Sequence, residues 1–120
     1  RDAEKRISAF VTEPIATPDG SNENTWNTNA MDPTPTNAAP WWLERDAAWW
    51  SANGVASVNV ANVATPPRYI IEELVFDNDD ENKGTGSPVD GIVHYRITAR
   101  GTGGSDQARV LLQSTVIKRY

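Results

Sequence analysis

The side chains that could do chemistry in this 120-residue chain are few. His94 is the sole histidine and there is no cysteine, so thiol nucleophiles, thiolate metal sites and disulfides are all excluded. No carboxylates stand beside His94 at ligand spacing, which leaves it an ordinary strand position rather than part of a zinc site. Serines occur, but never as the G-x-S-x-G turn that presents a nucleophile. Glu72 and Glu73 are adjacent, yet neighbours on a strand project to opposite faces and make a poor acid/base pair. The glycines Gly101, Gly103 and Gly104 have the composition of a phosphate loop, but they join two strand-like stretches, so no helix N-terminus follows to receive an anion. Asp77, Asp79 and Glu81 have the spacing that opens a calcium loop. Asn82 stands where the sharp-turn glycine belongs, and Pro88 where the bidentate glutamate belongs. An EF-hand is therefore excluded, and a solvated turn is favoured over an irregular calcium site. Neither catalysis nor a cofactor or metal is expected.

The remaining classes are binding and assembly. Sixteen acidic against eleven basic residues leave a net charge of −5, with no local basic cluster, so a nucleic-acid surface is not expected. No apolar run reaches the roughly 18–20 residues that cross a bilayer. A chain of this length suits one domain with one core. Eight prolines and eight glycines predict short elements and long connections.

Residues 1–12 place Ala3, Ile7, Phe10 and Val11 on one helical face. A helix this short is marginal alone, and with no capping box at its start it reads as the end of a longer one. Pro14 stops it. Residues 13–38 form a long connection without periodicity, anchored to the core by Trp26. Residues 39–53 predict one tryptophan-rich helix, with Pro40 in its first turn and Gly54 as a left-handed C-cap. Trp41, Trp42, Trp49 and Trp50 spread over more than one side of it. Two or three of them would form the core, while any left uncovered would be an aromatic contact patch. Residues 55–63 are weakly strand-like. Residues 68–76, 91–100 and 108–119 predict strands: Ile70, Leu74 and Phe76 share a face interrupted by Glu72, and Val93, Tyr95, Ile97 and Ala99 alternate with His94, Arg96, Thr98 and Arg100. The last two strands form a hairpin, expected at the centre of an antiparallel sheet, with Val110, Leu112, Ser114 and Val116 inward. Leu111 and Ile117 on the opposite face imply partial cover there too. The fold class is α+β.

Four stretches, RDAEKRI, WWLERDAAWW, PRYIIEEL and the ending YRITARGTGGSDQARVLLQST, together resemble PilX-type minor pilins of bacterial type IV pili. The resemblance covers about half the chain and omits loops 13–38 and 77–90. It implies a pilin-like head whose N-terminal helix continues upstream as an apolar segment, which carries a glutamate near the mature N-terminus. That segment would follow a short leader, hold the protein in the inner membrane and later pack in the filament. It also implies partners: other minor pilins, the major pilin and a PilY-type tip adhesin, met while priming filament assembly. Membrane contact would come only through the upstream helix. The expected partner-contact residues are Trp41, Trp50, Asp77, Asp79, Asp80 and Glu81. The alternatives are a type II secretion pseudopilin, which shares the head architecture, and an extracellular binding module that uses the tryptophan patch.

Overall fold

A computed structural model describes residues 2–11, 13–57, 66–78, 91–101 and 110–120, with the side chains of 75–78 outside the description. The elements are α1 (Asp2–Ala9), β1 (Thr25–Asn27), α2 (Trp41–Glu44), α3 (Ala47–Asn53), β2 (Val55–Ala56), β3 (Arg68–Asn78), β4 (Gly91–Gly101) and β5 (Val110–Arg119). The main path of the sheet runs β1-β3-β4-β5, with β2 also pairing with β3. Pairing is antiparallel except between β1 and β3. The fold is α+β, as expected.

The hairpin β4–β5 is present, but it is not the centre of the sheet. That place belongs to β3 and β4, and β5 is the last strand. The cause lies in what each strand can bury. On one face, Tyr69 and Ile71 of β3 join Val93, Tyr95 and Ile97 of β4 beneath Ala3 and Ile7 of α1. On the other, Ile70 packs with Trp26, Met31, Trp41 and Trp50. The middle strands are thus covered on both sides, whereas along β5 only Leu111, Val116 and Lys118 are even half-buried. Val110, Leu112 and Ser114, expected inward, are exposed. They do lie on the α1 side of the sheet, because Leu112 pairs with Ala99 and Ser114 with Ile97, but α1 does not reach across them.

The connection expected over 13–38 contains β1, whose Trp26 is buried as anticipated. Gly20 takes a positive φ of 67° and lies against the Trp26 indole, where a β-carbon would collide with the ring. A register shift between Glu73 and Val75 interrupts β3. Strict alternation from Ile70 through Leu74 to Phe76 therefore does not hold. Val58 and Val60 lie outside the described residues.

Helix α1 ends at Ala9, so Val11 leaves the apolar face and is exposed, while Phe10 remains packed at 6.4 Å from the Tyr95 ring. The ammonium of Lys118 closes the helix from the far end of the chain. It donates to the carbonyls of Ile7 at 2.8 Å, Ser8 at 3.2 Å and Phe10. A cation here adds a partner to carbonyls of the last turn, of which Ile7 also accepts from the Phe10 N–H at 3.1 Å, and complements the negative end of the helix dipole. Replacing Lys118 with Met should cost about 1–3 kcal/mol in urea unfolding and speed amide exchange in α1 selectively, since hydrogen bonds to a charged group are at stake.

Candidate functional site

Opposite α1, the sheet carries a tryptophan layer, and sequence reasoning missed what organises it. Glu72 interrupts the apolar run of β3 and is 0% exposed. A carboxylate there is tolerable only with a full set of partners. Arg96, directly opposite on β4, supplies two: its Nε donates to Oε1 at 2.9 Å and its Nη2 to Oε2 at 2.7 Å. The Trp41 indole donates to Oε1 at 3.2 Å and the Asn29 backbone N–H to Oε2 at 2.9 Å. Arg96 also reaches the Asn29 side-chain oxygen at 3.0 Å and lies 4.7 Å from the centre of the Trp42 ring. One ion pair thus ties together the strands β3 and β4, the turn after β1, and α2.

The single helix expected over 39–53 is two helices. Arg45 and Asp46 between them are extended, and the Asp46 carboxylate caps α3 by accepting from the Trp49 N–H at 2.9 Å. The break has a geometric reason. Nine residues of unbroken helix, at about 100° per residue, would place Trp41 and Trp50 on opposite sides. Interrupting the helix lets both face the sheet, where they are 0% and 1% exposed with ring centres 5.7 Å apart. Gly54 ends α3 in extended backbone (φ −74°, ψ 148°) rather than the expected left-handed cap. Its role is closeness, since a β-carbon would come within 2.9 Å of Arg68 Cβ and the Trp50 carbonyl.

Trp41 and Trp50, both expected as contact residues, are placed in the core, where they pack with Ile70 and Trp41 bonds Glu72. The outward residues of the layer are others. Leu43 is 55% exposed, and Trp42 and Trp49 are half-buried at its margin. Asp77 belongs to β3 by its backbone, but its side chain, and Asp79, Asp80 and Glu81 entirely, lie outside the described residues, as does the calcium reading of that stretch. Among the described residues, no group of histidine, aspartate and glutamate is placed to hold a metal ion. His94 is half-buried on β4, opposite Ile117.

A concavity of about 410 Å³ opens at the C-terminal end of α1 between Phe10, Glu13, Pro14, Ile15 and Glu23. Burial raises the Glu13 carboxyl above the usual range. Glu73 is raised too, first by burial and then by the charge of Glu13. Nearby, the Tyr95 and Tyr120 hydroxyls share a hydrogen bond of 2.6 Å, and burial pushes both up. This is an acidic, aromatic corner.

The family comparison decides what kind of protein this architecture serves. Residues 12–118 match the family model of the type IV pilus assembly protein PilX, C-terminal region. The chain belongs to the PilX family. It is a PilX-type minor pilin domain, and its place is in type IV pilus assembly. The PilX family is one of pilus structural and assembly proteins. No curated protein and no solved structure matches the chain. In this PilX-family domain the match takes in the sheet up to Lys118 and both tryptophan helices, and α1 lies outside it.

Removing the guanidinium while leaving the carboxylate should be costly. Arg96→Ala is expected to lose about 3–5 kcal/mol in denaturant unfolding, and a Glu72→Leu, Arg96→Met double variant to recover most of it. The raised carboxyls set a second expectation. A carboxyl with a higher pKa folded than unfolded binds more protons when folded, so its contribution is complete below the unfolded value of about 4.3 and is lost as pH rises through the folded value. Glu73→Gln should therefore stabilise the domain at neutral pH. Its advantage over the parent, followed by urea unfolding, should vanish as pH falls to about 4.

Proposed function

We propose that this PilX-family domain is the head of a minor pilin that primes type IV pilus assembly through non-covalent contacts with other minor pilins, the major pilin and a PilY-type tip adhesin. The family match over residues 12–118 carries the reading. In it the head does no catalysis. An apolar helix preceding α1 holds the protein in the inner membrane with the head in the periplasm, and assembly then moves it into the pilus. The outer side of the tryptophan layer supports the reading physically. It offers Leu43 and the edge of Trp42 on short helices whose other side is locked to the sheet through Glu72 and Trp41. Rigid apolar anchors of this kind bind with little ordering cost. The acidic run Asp77, Asp79, Asp80 and Glu81 adds charge that would steer a basic partner surface.

The binding-module reading, with Trp41 and Trp50 as ligand platforms, loses support from their burial. Trp50→Ala should cost about 3–5 kcal/mol in thermal or urea unfolding, as large-to-small core changes do. Leu43→Glu should stay within about 0.5 kcal/mol of the parent. In a strain deleted for the gene, surface pili should be lost and should return with the parent chain. With the Leu43→Glu variant they should return only in part, at equal protein levels. Normal piliation of the deletion strain would overturn the priming role, and full rescue by Leu43→Glu would overturn the contact surface.

A further inference from the structure

The outer edge of β5 combines three properties that seldom occur together without a partner. Among the described residues no strand pairs with it on that side. The strand is ten residues long, and from Val110 to Ile117 it carries neither proline nor charge, the usual devices against edge pairing. Its apolar residues are also exposed on both faces: Val110 and Leu112 (66%) on the α1 side, Ile117 on the other. Beside Leu112, a cleft of about 320 Å³ bordered by Glu4, Ile97, Ala99, Gln113 and Ser114 opens at this same edge.

We propose that a second copy of this chain pairs with β5, edge to edge and antiparallel, about a two-fold axis through Ser114. The order of residues in the strand selects this occupant and this register. An isologous pair about an axis normal to the sheet keeps each face of one copy level with the same face of the other. Residues opposite each other must then have the same parity. Centred on Ser114, Leu112 faces Val116 of the second copy on the α1 side, and Leu111 faces Ile117 on the other. Gln113 then faces Thr115, and Val110 faces Lys118, whose ammonium is turned back onto the end of α1. From Leu111 to Ile117 apolar meets apolar and polar meets polar, and the exception, Val110 against Lys118, falls at the end of the paired stretch. Moving the centre to Gln113 sets Leu112 against Ser114, and moving it to Thr115 sets Leu112 against Lys118. Both shifts lose the match, so the register is specified. The product is one sheet running β1-β3-β4-β5-β5-β4-β3-β1. Both α1 helices lie on one side and both tryptophan layers on the other, and Val116 of the second copy covers the open side of the Leu112 cleft. This proposal is independent of the priming role.

The cysteine-free chain makes the test direct. Across the axis the two Ser114 α-carbons lie at the directly opposed separation of about 4.5–5.5 Å, whereas the two Val110 positions are eight residues apart along the strands, about 26 Å. Ser114→Cys should therefore form a disulfide-linked dimer under mild oxidation, and Val110→Cys should not. Sedimentation equilibrium of the unmodified chain should show a reversible dimer, weakened about tenfold or more by Leu112→Lys, with the circular dichroism spectrum of each variant unchanged. A chain that sediments as a monomer throughout would overturn the proposal and leave the edge to a strand of another protein. Equal cross-linking of Ser114→Cys and Val110→Cys would overturn the register.

Discussion

A charged carboxylate in the middle of a sheet, shut off from water, is the constraint on which the rest of this domain depends. Glu72 can sit on β3 only if Arg96 is opposite it, and Arg96 is opposite only when β3 and β4 pair in one register. A two-residue slip would leave the buried Glu72 charge unmatched, and a one-residue slip of either strand would send that strand's charge to the α1 face. The ion pair therefore selects a register that apolar burial alone would specify less sharply. Its spare capacity recruits the Asn29 N–H and the Trp41 indole, which bring the turn after β1 and the helix α2 onto the same face.

The tryptophan layer follows from that recruitment. With Trp41 held by the carboxylate, Trp50 can reach the sheet only if the helix between them breaks, and Asp46 makes the break by capping α3. Two short helices joined by extended residues have few internal hydrogen bonds, so their position rests on ring packing and on Arg45, which stacks on Trp49 and donates to the Met31 carbonyl at 2.8 Å. Such an arrangement is rigid because it is over-connected, not because its helices are strong. On the opposite face the same logic applies in reverse order along the chain. There the C-terminal strand secures the N-terminal helix through Lys118.

For a pilus assembly protein these choices separate two duties. The middle of the sheet is sealed on both faces and carries stability, and what remains for other molecules lies at the periphery. The periphery consists of the outer rim of the tryptophan layer, the acidic corner at the end of α1 and the side of β5 that no strand among the described residues pairs with. An assembly protein needs surfaces that engage by shape and backbone pairing, and none of these three holds a metal ligand set among the described residues.

The sequence by itself determined the fold class, the three long strands, the helix at the start and the family, because these rest on local signals: period-two alternation, a helical apolar face, and motifs read residue by residue. Glu72 was visible as an interruption in an apolar run, and Arg96 as a charge on the polar side of the next strand. Their pairing was not visible, since it depends on a register set between strands some twenty residues apart. Cover was decided only by tertiary structure. Alternation is readable in both β4 and β5, though less cleanly in β5, where Leu111 and Ile117 share the face of Gln113 and Thr115. Yet α1 shields one strand and leaves the other at the edge, because a helix of eight residues spans only part of the sheet. Likewise, four tryptophans in one helical pattern predicted a divided surface, and the carboxylate at the centre of the sheet decided which of them turned inward.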